Sequence, residues 1–262
     1  MRALAELIDD DSVPLEELAL AVTTRFERAP IEAVRGALDE LAAGVALPDA
    51  PAAAAEALAS HLHGRHRFRG ATEDYYDPRH SDLAYLLEAR RGLPLTLSLL
   101  YIAVARRAGR EIEPIGFPGH FLVRHGGPGG VHQDPFHGGR LLDDAALAQL
   151  GARFLGHASR LEAEHLLPIG RKALAVRMLA NLRNAHRRRG DAARALLACD
   201  LLVDVTGAPE ARRDRGLHAL ELGAVAAARE DLEAYLEARP RARDAERVRA
   251  ALHRTSSGPT LH

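Results

Sequence analysis

The stretch "LPLTLSLLYIAVARRAG", residues 93–109, limits the fold of this chain more than any other. Its apolar residues do not gather on one stripe. They cover nearly every side of a helix until Arg106, and such a helix has to be buried all round. Pro94 suits the first helical turn, and Gly109, after two arginines, suits the stop. The remaining chain must therefore supply cover on every side. At 262 residues it is long enough for one large domain or two modest ones. No apolar run approaches the length of a membrane span.

Cover is available on both sides in sequence. Residues 1–64 read as helices. Leu15, Leu18, Val22 and Phe26 form one stripe, and Ile31, Val34, Leu38 and Leu41 form the next. Asp11 or Ser12 is the expected cap of the first of these. "DAPAAAAEALASHLHG" predicts a third helix ending near Gly64. A polar loop dotted with aromatics follows, and then a short helix capped by Ser81. Beyond the buried helix lie the clear β signals "EIEPIGF", "HFLVRH" and "VHQDPF", the last two split by "GGPGG". They predict a small antiparallel sheet against that helix, with "GGRLLDD" adding an edge strand or a turn.

From about residue 166 the pattern is helical again and repeats. Gly190 matches Gly223, Ala195 matches Ala228 and Cys199 matches Leu232, at an offset of 33 residues. That is close to the tetratricopeptide period of about 34. Gly216 and Pro240 also suit that repeat. Two units are visible, fewer than the roughly three an independent array needs. The expected class is α+β. A helical region covers 1–64, a sheet-and-helix core 65–163 and tetratricopeptide-like hairpins 164–254, with a disordered tail over 255–262.

Charge excludes some partners. Lysine and arginine number 35 against 36 acids, so nothing in the balance favours nucleic acid or an anionic membrane. The one cysteine, Cys199, rules out an internal disulfide and a cysteine-based zinc site. It sits at a small-residue packing position and reads as a buried structural thiol. The start "MRALAELIDDD" is too short and acidic for a signal peptide, so a soluble cytoplasmic protein is expected.

Four groups of residues have chemical potential. His120 follows Pro118-Gly119 at the mouth of one β-run, and Asp134 closes the next. Adjacent strands bring such side chains together, and a carboxylate fixes an imidazole's tautomer. The alternative is structural, a histidine capping a turn and an Asx-turn at Asp134. The hydroxyls in line to serve such a pair are Thr96 and Ser98, although a serine inside an apolar helix usually bonds back to its own backbone. The loop "DYYDPRHS" holds Tyr75, Tyr76, Asp77 and Ser81, which with Arg91 and Tyr101 are candidate binding residues. A rigid Asp-Pro turn is the alternative there. The histidines His61, His63, His66, His80, His120, His125, His132 and His137 show no metal-ligand spacing, so scattered surface histidines are expected, with no metal and no cofactor. Arg171, Lys172, Arg177, Arg183, Arg187, Arg188 and Arg189 form a basic run. A solvated helical face is expected there ahead of an RNA or acidic-peptide surface, because no aromatics interleave with the charges.

Taken in order, "DYYDPRHSDLAYLLEARRGLPLTLSLLYIAVARRAG", "GFPGHFLVR" and "DPF-GGRLL" resemble the SirB family of bacterial proteins, over roughly residues 60–250. That resemblance implies a transglutaminase-like, papain-related core followed by tetratricopeptide repeats. It puts His120 at the family's catalytic histidine position and Asp134 at the aspartate position. The usual cysteine position falls close to Pro94, so the thiol is missing. The chain also carries Gly70-Ala71 and His80-Ser81 where the family tends to have Gly-Asn and Asn-Ser.

Three functions follow as expectations. The first is a non-catalytic module that binds a protein or peptide through the degenerate cleft and the repeats. The second is a hydrolase or acyltransferase using Ser98 or Thr96 with His120 and Asp134. The third is a regulatory or nucleic-acid-associated factor acting through the basic helical face.

Overall fold

The structure is a computed structural model and describes residues 4–156 and 160–256. The elements run α1 (Leu4–Asp9), α2 (Leu15–Thr23), α3 (Ile31–Ala43), α4 (Pro51–Ala59), β1 (Arg69–Gly70), α5 (Leu83–Ala89), β2 (Arg91–Gly92) and α6 (Pro94–Arg107). The sheet strands β3 (Ile112–Ile115), β4 (Leu122–His125), β5 (Val131–Asp134) and β6 (Arg140–Leu142) follow, and then α7 (Asp144–Leu155). The rest is α8 (Arg171–Arg188), α9 (Ala192–Thr206), α10 (Pro209–Glu221), α11 (Val225–Ala238) and α12 (Ala245–Ser256). The chain divides into two compact units, residues 1–178 and 179–262. Among the described residues no helix is long and apolar enough to cross a membrane. The expected disordered tail lies outside the described residues from 257 on, and Thr255 and Ser256 still belong to α12.

In the first unit, α6 is buried along almost its whole length, from Pro94 to Ala105. Helices α2, α3 and α5 pack against it, as do strands β3 and β4. The four strands form an antiparallel meander in the order β3-β4-β5-β6, so the "GGRLLDD" segment is an edge strand. The loop between β4 and β5 needs its glycines, because Gly126, Gly127 and Gly129 all have positive φ. Where α6 leaves the core it carries charge. Glu16 of α2, 1% exposed, receives both Arg106 and Arg107, and Arg107 also reaches Asp39 of α3.

Several elements differ from the sequence expectation. Pro14, not Asp11 or Ser12, is the cap residue of α2, without a side-chain bond. Helix α4 stops at Ala59 and widens into a π-helical turn over Ser60–Arg65. Asp82 caps α5 by accepting from Ala84 N at 2.8 Å; Ser81 does not. Aspartate accepts an amide N–H at least as well as serine. The parallel β1–β2 ladder and helix α7 were not anticipated. The histidines expected at the surface divide, with His63 and His137 exposed and four others inside. His61, His80, His120 and His125 are buried; a ring nitrogen of His61 is satisfied by Leu41 O at 2.8 Å, of His120 by Asp134 and of His125 by Gln133, whereas His80 Nδ1 has no hydrogen-bond partner among the described residues.

The second unit keeps the repeat. Gly190 and Gly223 turn the chain with φ of +73° and +78°. Ala195 and Ala228, and Cys199 and Leu232, are all fully buried one helix later. A Cβ at Gly216 would stand 2.8 Å from Leu232, so α10 and α11 approach closely there. Burial pushes the Cys199 thiol up to about 12, which leaves it unreactive near neutral pH.

A buried amide ties the sheet to α4. Gln133, with no exposure, donates to Ala55 O at 2.7 Å and Gly139 O at 2.9 Å. Its Oε1 accepts from His125 Nε2 at 2.8 Å. Each buried partner left unsatisfied costs about 1–3 kcal/mol. Gln133→Leu is therefore expected to lower the urea midpoint by an amount equivalent to roughly 3 kcal/mol without changing the slope.

Candidate functional site

The site begins at a turn. Pro118 and Gly119 occupy the middle of a turn closed by His120 N donating to Phe117 O at 3.0 Å. Gly119 has φ +64°, a conformation that favours glycine. The turn delivers His120 just ahead of β4. In the β4–β5 pairing Val123 faces Gln133, so one step further Leu122 faces Asp134, and His120 reaches Asp134 on the diagonal. His120 Nε2 donates to Asp134 Oδ1 at 2.9 Å, with the two residues 3% and 0% exposed. Nδ1 of His120 has no hydrogen-bond partner among the described residues.

Asp134 serves more than one donor. Its Oδ1 also accepts from the backbone of Phe136 at 3.2 Å and His137 at 3.3 Å, which caps the short 3-10 turn Pro135–His137. Its Oδ2 accepts from His137 Nδ1 at 2.7 Å, with Arg140 at 3.6 Å. Burial pushes the Asp134 carboxyl up. The hydrogen bond and charge of His120, with those of His137, outweigh that and hold it below the usual carboxylate value. His120, Asp134 and His137 also present ligand atoms all within 4.8 Å of one another. Both Asp134 oxygens are engaged by N–H donors, so an ion would have to displace two imidazole protons to enter.

Aromatic rings surround the pair. Phe154 of α7 stacks on His120 at 5.8 Å and 14°, and Phe136 meets its edge at 5.8 Å and 89°. His137 lies 5.5 Å away, and Tyr75 continues the series to Phe136 at 6.4 Å. Tyr75, Tyr76 and Phe154 are exposed large side chains, 38%, 42% and 43% accessible. Small residues let the rings close in. A Cβ at Gly70 would stand 2.7 Å from the Phe136 ring, and one at Gly119 would stand 2.4 Å from Phe154. Arg177 of α8 fixes the turn by donating to the carbonyls of Phe117 and His120.

The other candidate residues have different surroundings. Thr96 is buried, and its hydroxyl donates to His80 O at 2.9 Å. Ser98 is fully buried. Its Oγ bonds neither to His120 nor, against expectation, to its own helix. Tyr101, expected as a binding residue, is fully buried against Gly139 and belongs to the core. Burial, with the Asp134 charge, pushes its hydroxyl up. Asp77 and Ser81 are also buried, and Asp77 is occupied in capping Pro78–Ser81 and pairing with Arg79. Arg91 is exposed on β2. Residue-by-residue reading missed Phe154, Phe136, His137 and Arg177 as parts of the site. His137 alone carried a local signal, lying three residues after Asp134.

Comparison with known proteins fits this geometry. The transglutaminase-like superfamily model matches residues 32–180, and a tetratricopeptide repeat model matches 182–253. A UPF0162 protein of Xylella fastidiosa is 34% identical over 94% of this chain and 91% of its own. One of Vibrio cholerae is 28% identical over 97% of both. F-box only protein 21 of Mus musculus is 41% identical over 63 residues, 24% of this chain and 10% of its own. No solved structure matches the chain. End-to-end similarity of this kind, on a transglutaminase-like core followed by tetratricopeptide repeats, shows that the chain belongs to the UPF0162 family.

Proposed function

We propose that this chain is a non-catalytic, cytoplasmic protein-binding module, and a SirB-family member as its motif order implies. In this reading the former cleft around His120 holds a peptide segment of a partner. The repeats, over 164–254, dock protein as well. The observation that carries the reading is the run of ring contacts from Tyr75 through Phe136 and His120 to Phe154. Exposed aromatics that meet a buried polar pair offer apolar contact area with a fixed hydrogen-bonding centre, the usual make-up of a recognition site.

The chemistry of the helix start supports the same reading. Leu93, Pro94 and Leu95 open α6 and offer no nucleophile. The Thr96 hydroxyl is spent on His80 O, and Ser98 lies inside the core. A nucleophile needs its proton within reach of the base. The His120–Asp134 pair has a structural use in any case, since Asp134 satisfies four N–H groups in one buried place.

Three outcomes are expected. A random-peptide phage library panned on the full chain should yield sequences carrying an apolar or aromatic residue. Phe154→Ala should weaken them about tenfold or more, as truncation of an aromatic anchor does. Gly119→Ala, whose Cβ would displace Phe154, should act in the same direction. Enrichment that ignores both variants would defeat the reading. A fluorophosphonate probe should leave the chain unlabelled. Labelling that His120→Ala abolishes would instead support the hydrolase with Ser98 or Thr96. Finally, the folded pKa of Asp134 lies below its unfolded value of 3.8. Its stabilisation is therefore present above that value and is lost as pH falls through the lower folded pKa. Asp134→Asn should be less stable than wild type at neutral pH, and the gap should narrow in acid, read from denaturant titrations.

A further inference from the structure

The basic run of α8 divides by what each guanidinium does. Arg171 bonds the carbonyls of Leu7 and Val13, and Arg177 those of Phe117 and His120. Arg183 pairs with Asp214. Arg187, one turn on from Arg183 and exposed, forms no ion pair among the described residues. Within the second unit, Arg183 and Arg187 meet Arg213 of α10 and Arg247 of α12 around one cavity of about 340 Å³. Arg213 is held by Asp214 at 2.6 Å and Asp244 at 2.7 Å. Arg247, like Arg187, is exposed and forms no ion pair among the described residues. Four guanidiniums from three helices stand against two carboxylates in the wall, Asp214 and Glu221.

We propose that this cavity binds an acidic segment of a protein partner, with side-chain carboxylates taken by Arg187 and Arg247. The proposal rests on the reading of the repeats as a docking element and is independent of the cleft. Like charges brought together on three helices repel one another, and a bound anion relieves that repulsion. Planar forks suit carboxylates, which they grip with paired N–H bonds. Arg183 and Arg213 are already oriented by Asp214, so they add field without needing a new partner. Leu217 supplies apolar wall for the methylene stem of a glutamate. Nucleic acid fits less well. No Phe, Tyr or Trp lines the cavity to stack a base, and Asp214 and Glu221 interrupt the positive field that a phosphate chain would follow.

The test is fluorescence anisotropy on the full chain, with a short labelled Asp/Glu-rich peptide and its Asn/Gln counterpart. Binding of the acidic peptide alone is expected, weakening as salt rises. The double variant Arg187→Ala, Arg247→Ala should lose roughly tenfold or more in affinity. Arg249→Ala, which removes an exposed guanidinium of α12 paired with Glu246, should bind as wild type does. Both altered positions in the double variant are exposed, and an unchanged thermal melt verifies folding. No binding, equal binding by the double variant, or tighter binding of a single-stranded RNA of equal length would overturn the proposal. Phe154→Ala should leave acidic-peptide affinity unchanged, so a failure here is distinct from a failure at the cleft.

Discussion

The burial of α6 is the constraint on which the first unit depends. A helix with no polar face gains from every surface that covers it, at roughly 25 cal/mol per Å², and leaves no side open to water. Helices α2, α3 and α5 and the strands β3 and β4 meet that demand. The end of α6 is just as constrained, because Arg106 and Arg107 emerge beside packed helices. Glu16 sits almost fully buried between them and ties α2 to α6. Removing one partner from such an arrangement leaves a charge without compensation. The N-terminal helices are therefore part of the same folded body as the sheet.

The site follows from that arrangement. The sheet covers α6, the β4–β5 pairing sets the diagonal between His120 and Asp134, and the 3-10 turn after β5 packs on α6. Asp134 is more a structural node than a lone orienting acid. It caps one turn, fixes one imidazole by Oδ1 and a second by Oδ2. A buried carboxylate with this many donors is costly to remove whether or not a nucleophile stands nearby. Retention of a His-Asp pair is thus weak support for catalysis. The position of the hydroxyls on α6 bears on that question more directly.

What was legible in the sequence was whatever periodicity or local chemistry writes down. The all-round apolar helix, the meander, the His120–Asp134 meeting and the matched positions of the repeat each follow from spacing within one or two elements. What was not legible required a path through the fold. Phe154 reaches His120 from α7, whose start is marked locally by its Asp143 cap but whose packing on the His120 turn is not. Arg177 reaches the His120 turn across 57 residues. Tyr101 stands among the candidate binding residues of the sequence, yet its place in the middle of α6 puts it inside. Ser98 broke a local rule, since its buried hydroxyl has no bond back to the helix.

The arginines carry the same point further. In the sequence they form one run and invite one explanation, a solvated face. In the fold they are separate devices. Arg171 and Arg177 form no ion pair among the described residues. They satisfy carbonyls left open by loops and by the last turn of α1, a task suited to a planar, multiply donating group. Arg183 enters a carboxylate network, and Arg187 keeps its charge unspent. Net charge along a segment is therefore a poor guide to its partner. What matters is how many of its charges the fold has already used, and in the second unit two unspent ones, Arg187 and Arg247, meet at one cavity.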